Sequence, residues 1–158
     1  MDYKIRVIAI TISDSRSEID DISGNTLVEC LQEINAEILE KKIVNDDLEN
    51  IITTLKECSK KANLIVTTGG TGFAPRDNTP EATRAVIEKE APGLPEMMRF
   101  ETAKINSKAY LSRGVCGIRG NCLIINLPGS PKAVKECFEV IKPLLPHAIK
   151  LIEGETDH

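Results

Sequence analysis

The chain has 158 residues, 41% of them hydrophobic and 28% charged, the balance of an ordinary globular domain long enough for one continuous core. Aromatic residues make up only 3% and tryptophan is absent, which argues against a nucleic-acid binder built on base stacking. Lys and Arg number 20 against 24 Asp and Glu, a net charge of −4, so there is neither a basic footprint nor a polyacidic tail to name a partner. Along the chain, Ile5 to Ile12 is short, β-branched and almost continuously apolar, as a strand buried on both faces should be. A polar loop from Ser13 to Ser23 follows, and Gly24 leads into a helix with Leu27, Val28, Leu31 and Ile34 on one face. Ile38 to Val44 reads as a second strand. Ile51, Ile52, Leu55 and Cys58 mark a second helix, and Leu64 to Thr68 a third strand that runs straight into Gly69-Gly70-Thr71-Gly72. Thr79-Pro80 is a capped helix start, with Ala82, Val86 and Ile87 following. Gly93 to Asn106 reads as a further helix. Val115 to Ile118 and Cys122 to Leu127 form a hairpin around Arg119-Gly120-Asn121. Ser130-Pro131 opens a helix through Ile141 that Pro143 interrupts, and the apolar pattern continues from Ala148 to Ile152.

Strand and helix alternate at least three times, which predicts a three-layer α/β/α domain over residues 1–158: a mostly parallel sheet, helices on both faces, and a small late hairpin. The five cysteines are odd in number, widely spaced and free of CxxC pairs, a pattern of small buried hydrophobes in a reducing compartment rather than of a disulfide framework or a zinc site. The start, Met1-Asp2-Tyr3-Lys4, lacks the basic-then-apolar run of a signal peptide. No apolar stretch approaches the ~20 residues of a membrane span. The expectation is a cytoplasmic protein with neither membrane nor nucleic acid as partner.

In such sheets ligands bind beyond the carboxyl ends of the strands, so the loops leaving them carry the chemistry. Thr67-Thr68-Gly69-Gly70-Thr71-Gly72 lets the backbone bend sharply and approach a ligand closely. It is neither a Walker A loop nor the dinucleotide fingerprint, and a plain strand-to-helix turn would look the same. Arg76-Asp77-Asn78-Thr79 leads into a helix whose amino end attracts anions. Asp77 beside such a site suits a Mg²⁺ ligand, or equally a favourable charge near the helix dipole. Of Asp46 and Asp47, after the second strand, one caps the next helix; the other is free to meet Asp77 if their strands are neighbours, as when separate loops share a Mg²⁺. Asn126-Leu127-Pro128-Gly129-Ser130-Pro131 is a second potential phosphate cradle. The long loop from Ser13 and Asp14 to Ser23 is either functional or a solvated acidic surface. His147 and His158 do not resemble catalytic bases.

Thr-Thr-Gly-Gly-Thr-Gly at 67–72 followed by Arg-Asp-x-Thr-Pro-Glu-Ala at 76–82 resembles the signature of the MogA/MoaB family of molybdenum-cofactor biosynthesis. Ile-Ser-Asp-Ser-Arg at 12–16, Pro-Gly-Leu-Pro-Glu-Met-Met-Arg at 92–99, Leu-Ser-Arg at 111–113 and Asn-Leu-Pro-Gly-Ser-Pro-Lys-Ala at 126–133 are similar to further family blocks and occur in family order. The resemblance implies a trimer, sometimes a hexamer, that binds molybdopterin and, in active members, adenylylates it with Mg²⁺ and ATP. It implies Asp46 and Asp77 as catalytic acids and Mg²⁺ ligands. It implies a pterin and nucleotide pocket lined by Thr68, Gly69, Gly70, Thr71, Gly72, Ser112, Pro128, Gly129 and Ser130, with Ser13, Asp14 and Thr79 completing the substrate-binding set. Two other readings stand beside adenylyl transfer: a MoaB-type protein that only binds molybdopterin, and a scaffold module like that fused in gephyrin. Leu94, Met97 and Met98, with Phe100 nearby, offer either core filling or an oligomer contact.

Overall fold

The structure is a computed structural model that describes residues 4–154; His158 lies outside the described residues. Six strands form one sheet in the order β2-β1-β3-β6-β5-β4. They are β1 (Arg6–Ile12), β2 (Glu37–Val44), β3 (Leu64–Thr68), β4 (Lys89–Glu90), β5 (Cys116–Arg119) and β6 (Cys122–Leu127). β2, β1, β3 and β6 run parallel, and β5 is antiparallel to both of its neighbours. The helices are α1 (Ile22–Gln32), α2 (Leu48–Ser59), α3 (Thr79–Val86), α4 (Gly93–Ala103), α5 (Pro131–Ile141) and α6 (Leu145–Ile152). The layered α/β fold expected from the alternation is the one observed.

The apolar run of β1 divides between two cores because side chains alternate across a strand. Val7 and Ala9 pack with Leu27 and Leu31 of α1, Met98 of α4 and Val134 and Phe138 of α5. Ile8, Ile10 and Ile12 face the other way, onto Ile51 and Leu55 of α2 and Ala82 and Val86 of α3. All five cysteines are buried with free thiols, and burial pushes Cys116 and Cys122 up to about 12 and Cys137 to about 11. No helix among the described residues is long and apolar enough to cross a membrane.

Several local expectations are corrected. Gly24 does not lead into α1 but lies within it: Asp21 is the N-cap and accepts from the Gly24 amide at 2.9 Å, and the Asp21 carboxylate occupies the place a Cβ would need. Thr79 does not cap α3, because its hydroxyl donates instead to the Gly69 carbonyl at 3.0 Å; Asn78 holds the cap position without a side-chain bond to the helix. The hairpin is no appendage, since β6 pairs with β3 inside the sheet. α4 ends at Ala103, and a 3₁₀ turn, Ser107–Leu111, follows with Asn106 as its cap. The two-residue β4 carries no strand signal in its sequence, being short, charged and exposed. Met98 is buried, and Leu94 and Met97, partly buried, pack against the same core; the exposed apolar side chains nearby are Phe100, Ile105, Tyr110 and Leu111.

Asn126 ties the sheet to α3. Its Oδ1 accepts from the Val115 amide at 3.0 Å, while Nδ2 donates to Thr67 Oγ1 at 3.1 Å and Thr83 Oγ1 at 2.9 Å, all buried. Asn126→Leu removes the acceptor of a buried amide, and urea denaturation should show a loss of about 2–4 kcal/mol.

Candidate functional site

β3 is where the topology opens a crevice. The chain leaving β3 turns to the face that carries α2 and α3, whereas the chains leaving its neighbours β1 and β6 turn to the face that carries α1 and α5. Loops that part at a strand end leave a ligand-sized gap there. The glycine turn stands in that gap. Gly69 and Gly70 both have positive φ, +98° and +68°; a Cβ on Gly69 would run into the Ile12 carbonyl, and one on Gly70 into the Thr79 hydroxyl. The Gly69 amide donates to Leu127 O at 3.1 Å and the Thr79 amide to Gly70 O at 3.1 Å, so β1, β6 and α3 all grip the turn. The amides of Gly70, Thr71 and Gly72 donate to no protein acceptor among the described residues. They are an open set of donors for an anion.

Two carboxylates flank these donors. Asp46 Oδ1 lies 3.4 Å from where a Gly70 Cβ would be, and Asp77 Oδ2 lies 2.9 Å from the equivalent point on Gly72. The expected route by which they meet needs correction, because β1 stands between β2 and β3. A direct link replaces strand adjacency: Asn78 Nδ2 donates to the Asp46 carbonyl at 2.9 Å. Asp47 takes the capping duty at α2, accepting from the Asn50 amide at 3.0 Å, so the Asp46 side chain is not needed as the cap. Burial above all, then the charge of Asp14, push the Asp46 carboxyl above its ordinary range; Arg76 opposes this and Asp77 adds a smaller push.

A cavity of about 430 Å³ opens from this turn, a size suited to a small organic ligand. Gly70, Thr71, Gly72, Asp77, Ser112, Pro128 and Gly129 line it, as does Asn126 at the start of the second cradle; so do Met98, Arg99, Thr102, Asn106, Lys108 and Glu136, which the pattern of single loops does not reveal. Arg99 and Ser112 lie within sequence blocks that resemble the family's, and the Arg99 role is now visible: Nη1 donates to the carbonyls of Ser112 at 3.4 Å and Gly114 at 3.0 Å, fixing the far wall.

The remaining expected residues, Ser13, Asp14, Asp46, Thr68, Gly69, Thr79 and Ser130, do not line the cavity. Thr68 Oγ1 donates to Pro128 O at 2.6 Å. Gly69 touches the second cradle, where a Cβ on Gly129 would lie 3.4 Å from the Gly69 Cα. Ser130 caps α5 through the Ala133 amide at 3.2 Å, Asp14 accepts from the Asp46 amide at 2.8 Å, and Ser13 accepts from the Ser15 and Arg16 amides, both at 3.3 Å. The long first loop also reaches the second cradle. Arg16 Nη1 donates to Ser23 Oγ at 2.6 Å, and Ser23 Oγ donates to Gly129 O at 2.6 Å.

Hard carboxylate oxygens at the edge of an anion cradle are the donor set a divalent cation takes alongside phosphate. Among the described residues no three His, Cys, Asp or Glu side chains gather into a metal cage. Two carboxylates with the remaining oxygens supplied by substrate and water is the arrangement the residues fit.

Fold and site together define a layered α/β domain with a ligand-sized pocket at the switch point of its sheet. A family model described as a probable molybdopterin binding domain matches residues 8–147. The chain is 43% identical over 154 residues to the molybdopterin adenylyltransferase of Helicobacter pylori strain J99, covering 95% of this chain and 88% of that protein. It is 49% identical over 153 residues, 93% of this chain, to the molybdenum cofactor synthesis protein cinnamon of Drosophila melanogaster, but spans only 25% of its length. The crystal structure of the molybdopterin biosynthesis enzyme MoaB from Thermus thermophilus superimposes with a TM-score of 0.88 at 41% identity, covering 96% of this chain and 98% of that one. The chain belongs to this molybdopterin-binding family.

The raised Asp46 carboxyl gives a signed prediction. A folded-state pKa above 3.8 means the charged form is disfavoured on folding, so stability falls as pH rises through that raised value and returns on acidification. Asp46→Asn removes the penalty. In metal-free buffer at pH 7 its thermal midpoint should rise, by no more than about 5 °C, and the difference from wild type should shrink toward pH 3.8.

Proposed function

We propose that this chain is a molybdopterin adenylyltransferase, which joins AMP from ATP to the terminal phosphate of molybdopterin and releases pyrophosphate. The observation that carries the reading is the placement of Asp46 and Asp77 on either side of three open backbone amides. A pocket that only held a phosphate would be weakened by two nearby carboxylates. One that handles phosphate with a divalent cation uses both. The Helicobacter relative, a molybdopterin adenylyltransferase, supports the same reading.

In the reaction an anionic phosphate oxygen of molybdopterin bonds to the α-phosphorus of ATP as the bond from that phosphorus to the pyrophosphate oxygen breaks. The nucleophile is already charged, so no residue has to act as a base; orientation and charge stabilisation are the demands on the protein. The amides of Gly70, Thr71 and Gly72 hold phosphate oxygens, and the cavity walls from Met98 to Ser112 and from Pro128 to Cys137 enclose the organic part. Asp46 and Asp77 would hold Mg²⁺, which when bound supplies positive charge to the phosphates.

The test is incubation with molybdopterin, ATP and Mg²⁺ and detection of adenylyl-molybdopterin. Molybdopterin binding without product would favour the binding-only reading. Asp77→Asn should lower the turnover by about 100-fold or more while keeping molybdopterin affinity within about tenfold; wild-type turnover in the folded variant sinks the assignment of this acid.

A homo-oligomer, a trimer or a pair of trimers, belongs to the same proposal, as does a cytoplasmic location. Exposed Phe100 and Tyr110 border a shallow groove with Met97 and Glu96, the kind of surface a second subunit covers. Light scattering should give three or six times the 17.3 kDa chain mass; the single-chain mass refutes assembly.

A further inference from the structure

We propose that Arg113 is a positioning residue for adenylyl transfer: it fixes the distance between Asp77 and the glycine turn, without touching substrate. The inference rests on the reading of Asp77 as a working acid of that reaction. Arg113 follows the cavity-lining Ser112 but is not itself part of the cavity wall. Its backbone amide donates to Thr71 O at 2.8 Å, and its Nε to Gly72 O at 2.8 Å. Nη2 donates to Asp77 O at 2.9 Å. Nη1 and Nη2 then grip both oxygens of Glu81 on the first turn of α3, at 2.7 and 3.2 Å.

One guanidinium plane therefore measures out three stations: the end of the glycine turn, the acid loop and the start of α3. The acid loop's other bonds do not reach Gly72: Asn78 Nδ2 donates to the Asp46 carbonyl at 2.9 Å, and the Thr79 amide and hydroxyl go to the carbonyls of Gly70 and Gly69. Within it, Asp77 Oδ2 accepts from the Ala74 amide at 3.0 Å and the Asp77 amide donates to Ala74 O at 2.9 Å, bonds that shape the loop but do not place it against Gly72. The Glu81 carboxylate offsets the guanidinium charge, and its hydrogen bond with Arg113 is the leading cause that holds Glu81 below the ordinary carboxylate range. With its charge offset by Glu81 and four of its five side-chain N–H donors engaged, Arg113 is suited to geometry rather than to capturing phosphate. A lysine could replace the charge but not the planar fork that serves three acceptors at fixed spacing.

A displacement of about 1 Å in a group that orders the reacting atoms costs about 100-fold in rate. Arg113→Lys should accordingly lower kcat by about 10- to 100-fold while molybdopterin Kd stays within about threefold, because the cavity wall is intact. In an Asp77→Asn background the same change should add less than about twofold, since the group it positions is already disabled. Amide hydrogen exchange between residues 72 and 78 should quicken in Arg113→Lys while exchange in β1 and β6 is unchanged.

Wild-type kcat in a folded Arg113→Lys chain overturns the proposal. So does an additive loss in the Asp77→Asn background, which marks a merely structural residue, or a fall in molybdopterin affinity that accounts for the whole effect. If Arg113→Lys does not fold, Glu81→Gln takes its place in the same cycle, with an expected kcat loss of about three- to tenfold, and additivity there is equally fatal. If the wild-type chain makes no adenylyl-molybdopterin, it is the activity reading that has failed; exchange at 72–78 then judges the clamp, and unchanged exchange overturns it.

Discussion

The carboxyl end of the sheet is organised by a steric constraint: at Gly69 and Gly70 the chain passes so close to β1 and α3 that no Cβ fits. Positive φ at two successive residues swings the strand out of the sheet within one turn, a path open to glycine at little cost and to other residues only with strain. The Ile12 carbonyl presses on the turn at Gly69 and the Thr79 hydroxyl at Gly70, and Leu127 O receives its first amide. With the turn held in this way, its next amides keep no protein acceptor among the described residues, and Gly70, Thr71 and Gly72 form part of the cavity wall. A β-branched residue at Gly70 would thus unsettle the strand-to-helix connection as well as any bound phosphate.

Electrostatics follows from that geometry. Asp14, Asp46 and Asp77 approach one another around the turn, with Arg76 as the opposing charge felt by Asp46. The cost of gathering like charges is carried by backbone contacts rather than by neutralisation: Asp14 accepts from the Asp46 amide and Asn78 holds the Asp46 carbonyl. Asp21, fully buried a short way along the first loop, shows the contrasting solution. Burial pushes it up, yet the Thr11 hydroxyl, the Gly24 amide and Lys41 together outweigh burial and hold it below the ordinary range. The structural acid is satisfied by protein donors. The acids at the glycine turn have fewer such donors: Asp77 accepts from the Ala74 amide and Asp14 from the Asp46 amide.

Much of this was legible in the residues because it depends on local pattern. β3 runs from Leu64 to Thr68 as its apolar run and following glycines indicate, and the spacing of Val134, Phe138 and Ile141 marks the buried face of α5. The choice between Asp46 and Asp47 was legible as a choice only, since either could cap a helix that starts at Leu48. What stayed hidden depends on contacts across the chain. The Thr79 hydroxyl forsakes the cap for a carbonyl ten positions earlier, and Arg113 reaches Asp77 and Glu81 more than 30 positions away. Lys89 and Glu90 form a strand by lying beside β5, against everything their side chains suggest. Propensity cannot register interactions of that range.

The place of β6 in the sheet bears on how the chain comes to be folded. β6 lies beside β3, yet its residues, 122–127, come late in the sequence. While the polypeptide is being synthesised, residues 6 to 68 can pair β1 with β2 and β3, but one edge of β3 then stays bare, with its backbone groups open to a wrong partner. The glycine turn likewise lacks its Leu127 contact, and Ser23 its bond to Gly129 106 positions on. Closing such long loops slows folding, and the cavity is complete only once β6 and α5 have supplied the wall from Asn126 to Cys137. A ribosome-bound fragment that stops before residue 122 carries most of the domain and none of its completed pocket.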